Sequence, residues 1–155
     1  MPSAGGPETT RLRSWLREAR AGLGPGDRTP AATLADIGRR CGAGEIDDAL
    51  AILDGLAGEK AALPEWDGDS ADDVSAAQAT YMRILGHVVR ELIPAVATGL
   101  RSPEADTRRW VTLAIEMHGA TALAFLRPAA DTEPEATTRA FMIEAIARIE
   151  SAGSG

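Results

Sequence analysis

An internal repeat is the sequence feature that most constrains how this chain folds. When the chain is aligned with itself so that residues 102–115 lie over residues 133–146, seven of the fourteen positions are identical. The same offset carries Ile84 onto Ile115. A period of about 20 to 50 residues indicates supersecondary units that bury their apolar faces by stacking on one another. We therefore expect the second half of the chain to be a row of similar units.

The composition indicates that these units are helical. Of the 155 residues, 45% are hydrophobic but only 4% are aromatic, and alanine is abundant. Alanine favours helix most strongly, and the alternation of β-branched residues that is typical of strands is nowhere sustained. We expect an all-α fold, in which residues 9–150 form a single domain of about eight helices, a short right-handed α-solenoid or helical-repeat bundle. Residues 1–8 are expected to be a disordered tail and residues 151–155 a frayed one.

Capping residues predict where several helices begin. Thr9 or Thr10 is expected to cap the first helix, and Thr29, which is followed by a proline, the second. The letters SADD from Ser70 form a capping box before the next periodic segment. Ser102, again followed by a proline, is expected to cap the helix that carries the repeated sequence.

The repeated block resembles the HEAT family, in particular the short bacterial variety called phycobilisome-lyase HEAT-like repeats. The resemblance covers roughly residues 70–150. It rests on LIPAVATGL at 92–100 as a first helix, SPEAD as a turn and TRRWVTLAI at 107–115 as a second helix. Residues 9–63 match the pattern poorly and are expected to be divergent N-terminal helices.

The resemblance implies an interaction scaffold rather than a catalyst. For Arg108 and Arg139 it implies a structural role, in which the guanidinium bonds to the turn or to an acid of the adjacent repeat, such as Asp106 or Glu135. The second helices of HEAT-like solenoids commonly line the concave side, where partners bind.

Five residues are therefore predicted to contact a partner. Trp110 and Phe141 hold the same repeat position, off the core line, and would form an aromatic ladder on the surface of the second helices. Arg83, Arg108 and Arg109 complete the set. The expected function is a non-catalytic protein–protein interaction module, such as an adaptor, regulatory or immunity-type subunit, that binds another protein or self-associates.

We predict no catalytic residue, no metal site and no cofactor. Phosphate-binding loops, nucleophile elbows and zinc motifs are all missing from the sequence. His87 and His118 are related by the repeat offset. They are expected to interact with helix ends rather than to share a metal ion, because the sequence supplies no further zinc ligands at a suitable spacing.

Two further features are interpreted as structural. The acidic run at residues 65–73 resembles the start of a calcium loop, but Asp72 stands where such a loop needs glycine and Gln78 where it needs glutamate. Cys41 follows two arginines, which would lower a thiol pKa, yet no histidine or acid accompanies it in a catalytic pattern.

The charge balance disfavours nucleic acid and anionic membranes as partners, because the net charge is −7. The many arginines, with Lys60 as the only lysine, suggest a bacterial source of high GC content. The first residues lack the apolar core of a signal peptide, and no stretch approaches the roughly 20 apolar residues of a membrane span. These features predict a cytoplasmic protein.

The alternative hypothesis is an enzyme on a HEAT-like scaffold, similar to the alkylpurine DNA glycosylases or the bilin lyases. A glycosylase would imply a basic concave groove with aromatic side chains, for which Arg108, Arg109 and Trp110 are the candidates. The negative net charge argues against it.

Overall fold

The computed structural model describes residues 7–23, 28–59 and 71–154, and over these ranges the chain forms eight α-helices and no strand. The predicted all-α fold is confirmed. The helices are α1 (Pro7–Arg20), α2 (Ala31–Arg40), α3 (Ala43–Glu59), α4 (Ala71–Leu85), α5 (Ile93–Ala97), α6 (Ala105–Glu116), α7 (Leu123–Thr132) and α8 (Ala136–Ser154). Short 3₁₀ turns flank α5 on both sides and precede α7.

The helices are arranged in two layers. In one layer α2, α4, α6 and α8 pack side by side in chain order. In the other layer α1 packs on α3 and α3 packs on α5, while α7 packs on α8. Helix α3 also contacts α4 and α6, so it joins the two layers. The chain therefore alternates between the layers, as a series of helix pairs does.

The core lies between the layers and is built from the apolar positions of each helix. The predicted core line of α6, Val111, Ala114 and Ile115, is fully buried. Among the described residues Tyr81 is the largest fully buried side chain, and alanines occupy several of the other buried positions. Helices with small side chains approach closely: a Cβ at Gly38 of α2 would lie 2.5 Å from the carbonyl oxygen of Ile84 in α4.

A buried ion pair fastens α6 to the turn that precedes α8. The Nε and Nη2 atoms of Arg108 each donate to the carboxylate of Glu133 at 2.9 Å, and Nη1 donates to the carbonyl oxygen of Ser102 at 2.7 Å. The two side chains are only 10% and 1% exposed. Arg108 thus bonds to its own turn and to an acid of the next helix pair, as the HEAT resemblance implies, but the acid is Glu133 rather than Asp106 or Glu135.

The same turn recurs one repeat later. Arg139 donates to the carbonyl oxygen of Glu133 from Nε at 3.2 Å and from Nη2 at 2.9 Å. Glu133 is the repeat equivalent of Ser102, and in both turns the repeat-equivalent arginine, Arg108 or Arg139, bonds to this carbonyl. The side chains of Ser102 and Glu133 also accept from the amides of Glu104 and Glu135. The repeat is therefore visible in the hydrogen bonds of the turns.

Several predicted helix ends are wrong by one to four residues. Helix α1 begins at Pro7, before Thr9, and α8 extends to Ser154, into the segment expected to be frayed. Pro30 rather than Thr29 is the N-cap of α2. Ser70 and residues 1–6 lie outside the described residues.

Ser102 is not the N-cap of α6, because that position belongs to Glu104. The Ser102 hydroxyl instead accepts from the Glu104 amide at 3.0 Å and donates to Asp54 of α3 at 2.6 Å. The serine thus stabilises the turn before the helix and connects that turn to the other layer. Both acceptor and donor capacity of a single hydroxyl are used.

A second buried carboxylate joins α1 to the start of α3. Glu45 is 1% exposed and accepts from Nε and Nη2 of Arg11 at 3.0 and 2.7 Å and from the amide of Gly42 at 2.7 Å. Glu45 is the third residue of α3, so it bonds back to an amide that the helix itself leaves unpaired. Burial alone would raise the pKa of Glu45, but the Gly42 amide and the Arg11 guanidinium together lower it below its ordinary value.

Replacing Glu133 with alanine is expected to destabilise the fold by about 3 to 5 kcal/mol, because Arg108 would remain buried without a counterion. The matched control is Glu135→Ala two residues along, where the side chain is 48% exposed and the loss should stay below about 1 kcal/mol. Urea unfolding of the two variants measures both values. Equal losses would contradict a structural role for the Arg108–Glu133 pair.

The lowered pKa of Glu45 predicts a specific dependence of stability on pH. Since the folded state favours the ionised carboxylate, Glu45 stabilises the fold above the unfolded pKa of about 4.3, and this contribution disappears as the pH falls through the folded pKa. The difference in unfolding free energy between the wild type and Glu45→Gln should therefore be largest near neutral pH and shrink below about pH 4. A difference that stays constant down to pH 3 in denaturant titrations would contradict this assignment.

Candidate partner-binding surface

The five predicted partner-binding residues all lie in the layer of even-numbered helices. Arg83 is on α4, Arg108, Arg109 and Trp110 are on α6, and Phe141 is on α8. The structure brings them into one layer but does not expose them equally. Their burial and hydrogen bonds separate the structural residues from those that face solvent.

Arg108 and Arg109 are occupied by contacts within the chain. Arg108 is 9% exposed and its guanidinium bonds to Glu133, so little of its side chain is accessible to a partner. Arg109 is half-buried and donates to Asp106 at 2.8 Å, to Glu135 at 3.2 Å and to the Thr138 hydroxyl at 2.9 Å. It thus forms a second link between α6 and α8.

A stripe of apolar side chains faces solvent on this layer. Trp110, Leu113 and Met117 stand at i, i+3 and i+7 of the α6 register, so they share one side of that helix. Trp110 and Leu113 are half-buried, and Met117 is 46% exposed. Half-buried Met82 on α4 lines a groove with Leu113 and Met117, and half-buried Phe141 holds the Trp110 position on α8. We call these five residues the apolar stripe.

The charges beside the apolar stripe neutralise one another. Arg148 of α8 donates from Nε and Nη2 to the carboxylate of Glu116 in α6, both at 2.8 Å, and these two residues complete the lining of the groove. The hydrogen bonds that Arg148 donates to Glu116 hold the pKa of Arg148 above its ordinary value. Arg83 is exposed and forms no ion pair with the described residues. The surface is therefore apolar in its centre and has the Arg148–Glu116 ion pair on one side.

Gly86 makes room for the most exposed residue of the stripe. A Cβ on Gly86 would lie 2.3 Å from Sδ and 3.2 Å from Cβ of Met117. Gly86 and Met117 are related by the repeat offset, so they are equivalent positions at the ends of successive helices. The missing side chain at one position accommodates the large side chain at the other.

The two histidines lie at helix ends, as expected. Nε2 of His118 is 3.3 Å from the carbonyl oxygen of Leu85, at the end of α4. Burial lowers the pKa of His87, and the positive charges of Arg39 and His118 lower it further. A carbonyl contact and a suppressed charge are consistent with a structural role.

Cys41 is a buried structural residue. Burial raises the pKa of its thiol to about 12, an effect larger than the opposing charge of Arg40. Its Sγ donates to the carbonyl oxygen of Ile37 at 3.3 Å. The thiol therefore remains protonated at neutral pH, contrary to what its neighbouring arginines suggest from sequence.

Over the described ranges, no group of three or more histidine, cysteine, aspartate or glutamate side chains is positioned to hold a metal ion. Of the acidic run at residues 65–73, residues 65–70 lie outside the described residues, and so do the side chains of Asp72 and Asp73. In the same part of the chain, none of the helices combines the length and the apolar character that crossing a membrane requires.

Sequence reasoning missed Met82, Leu113 and Met117. The signal was present, because Leu113 and Met117 follow Trp110 at helical spacing and share its side of α6. The sequence did not reveal that none of the helices in the described part of the chain packs over this side of α6.

Comparison of the chain with protein-family models, with curated proteins and with solved structures finds no match.

Replacing Gly86 with alanine is expected to displace Met117 and to cost about 1 to 3 kcal/mol, as overpacking does. In the control Gly55→Ala, a Cβ meets nothing within 4 Å, so the variant should gain about 0.5 to 1 kcal/mol of helix stability. The methyl resonance of Met117 and the urea midpoints report the two effects. A Met117 resonance unchanged by Gly86→Ala would contradict the contact.

Proposed function

We propose that this chain is a non-catalytic protein-binding module that takes an amphipathic helix of a partner protein against the apolar stripe. One observation carries the proposal: five large apolar side chains from α4, α6 and α8 share one side of a helical layer, and Met117 in their midst is 46% exposed. Contiguous apolar patches on a protein surface mark protein–protein interaction sites.

The composition of the stripe suits the binding of a helix. A partner helix presents anchors at i, i+3, i+4 and i+7, which fit grooves between packed helices. Trp110 supplies the type of aromatic anchor that dominates binding energy, while Met82 and Met117 have flexible side chains that adapt to a partner. Trp110 also packs against the core, so its position is fixed before a partner binds.

The proposed architecture is a short, right-handed, HEAT-like solenoid acting as an adaptor, regulatory or immunity-type subunit in a bacterial cytoplasm. Three observations support the repeat interpretation: the sequence repeat itself, the two layers of alternating helices, and the arginine that bonds to the preceding turn in both α6 and α8. The second helices of such units form the layer that carries the apolar stripe.

The observations favour binding over the alternative of a DNA glycosylase-like or lyase-like enzyme. A DNA-binding groove needs cations that are available to phosphates. Arg108 and Arg109 are instead bonded to Glu133, Asp106 and Glu135, and Arg148 is bonded to Glu116. Trp110 is accompanied by methionine and leucine, which suit an apolar partner.

The variant Met117→Glu is expected to weaken capture of the partner by about 30-fold or more, since burying a carboxylate in an apolar contact costs at least about 2 kcal/mol. Trp110→Ala should have a similar effect through the loss of an anchor. The measurement is affinity capture from the native cell extract with mass spectrometry, followed by titration calorimetry with the partner identified.

The matched control is Val89→Glu, which places a carboxylate on an apolar residue that is 41% exposed but lies outside the stripe. Circular dichroism verifies that each variant is folded. If Met117→Glu and Trp110→Ala capture the same partner as strongly as the wild type does, the apolar stripe is not the binding surface.

A further inference from the structure

The outer face of α8 carries a second, different stripe. Arg139, Ile143, Ile146 and Glu150 stand at i, i+4, i+7 and i+11 and therefore lie along one side of the helix. We call these four residues the terminal stripe. Arg139, Ile143 and Ile146 line a groove shared with α7, and Glu150 pairs with Arg127 of α7 at 2.5 Å, so all four face the same way.

The preceding repeat shows what normally covers this face. Thr112 of α6 is the repeat equivalent of Ile143, and it is fully buried because α8 packs on α6. Ile115, the equivalent of Ile146, is also fully buried. On α8 the same positions carry an isoleucine that is 52% exposed and one that is half-buried. The terminal stripe is thus a repeat interface over which no described helix lies.

The charge pattern shows what is missing from this face. Arg108 bonds both to its own turn and to a carboxylate across the interface with α8. Its equivalent Arg139 is exposed. It forms the bonds to its own turn, at the carbonyl of Glu133, but no bond to a carboxylate of another described helix pair. Among the described residues no carboxylate bonds to Arg139. The terminal stripe therefore has one guanidinium that lacks the carboxylate its repeat equivalent binds.

We propose that the terminal stripe pairs with the terminal stripe of a second copy of this chain, with the two α8 helices antiparallel. A twofold axis midway between Ile143 and Ile146 sets Ile143 of each copy against Ile146 of the other. The same axis sets Arg139 of each copy against Glu150 of the other. This follows because Arg139 lies four residues before Ile143 and Glu150 lies four residues after Ile146. The stripe is thus self-complementary, as a twofold interface requires.

The alternative of head-to-tail stacking is disfavoured by charge. It would place α2 of one copy over α8 of the next, as α8 lies over α6. The residue three positions before α8 is Glu133, whose carboxylate accepts hydrogen bonds from Arg108. The residue three positions before α2 is Arg28. Stacking in this register would bring Arg28 towards Arg139, two like charges, in place of an ion pair.

This pairing is independent of the proposed partner-binding function. Phe141 of the apolar stripe and Ile143 of the terminal stripe are two residues apart, which on an α-helix is about 200° around the axis. The dimer would therefore leave the apolar stripe uncovered. Failure of one proposal leaves the other intact.

The test is the dissociation constant of the dimer, measured by sedimentation over a concentration series of the full chain. The wild type is expected to shift from monomer to dimer as concentration rises. Arg139→Glu and Glu150→Arg should each raise the dissociation constant by about tenfold or more, because each sets like charges together at both ends of the interface. The double variant restores opposite charges across the interface and should recover part of the lost affinity, but not all of it, because Glu150→Arg also removes the ion pair with Arg127.

The control is Glu144→Arg, which changes the net charge as Glu150→Arg does but lies off the stripe and should leave the constant unchanged. Ile143→Thr, which copies Thr112, should weaken the dimer without any change of charge. A wild type that stays monomeric throughout, or a double variant as weak as the single ones, would overturn the proposal. Circular dichroism verifies the fold, and Ile143→Thr gives an independent test if a charge variant does not fold.

Discussion

The bonds of Arg108 are the interaction on which the second half of the structure depends. Its guanidinium connects the turn before α6, through Ser102, with the turn before α8, through Glu133. Removing two charges from water is costly, so such a pair is tolerated only when its donors and acceptors are satisfied. Here the arginine makes three hydrogen bonds and Glu133 accepts a further one from an amide. This geometry holds α8 against α6 and positions both surfaces of α8.

The N-terminal half is held by a similar arrangement at another helix start. Glu45 near the beginning of α3 receives Arg11 of α1 and the amide of Gly42. The guanidinium carbons of Arg11 and Arg40 lie 5.6 and 4.7 Å from the ring centroid of Trp15, so two cations are within cation–π distance of this ring. In both halves a buried glutamate at or just before the start of a helix accepts hydrogen bonds from an arginine of another helix. A chain with few aromatic residues thus fixes its helices partly through charge-assisted hydrogen bonds.

The two proposed interaction surfaces follow from the same repeat. Successive helices in the even-numbered layer expose one side to solvent, which produces the apolar stripe, and bury another side against the next helix. On α8 that second side has no described helix over it, and the residues there form the terminal stripe. Thr112 and Ile143 illustrate the difference: equivalent in sequence, one is fully buried and the other is 52% exposed.

The sequence by itself determined the helical fold, the repeat period and the core line of α6, because these depend on local spacing that helix geometry makes regular. For Arg108 it left two predictions side by side, a structural role implied by the HEAT resemblance and a place among the partner-binding residues. Only the tertiary structure decided that the partner of Arg108 is Glu133, that Arg109 is occupied by Asp106 and Glu135, and that Met117 is the most exposed side chain of the apolar stripe. Those outcomes depend on how closely α6 approaches its neighbours, since the partners lie on separate elements and side-chain reach rather than periodicity selects among several nearby acids.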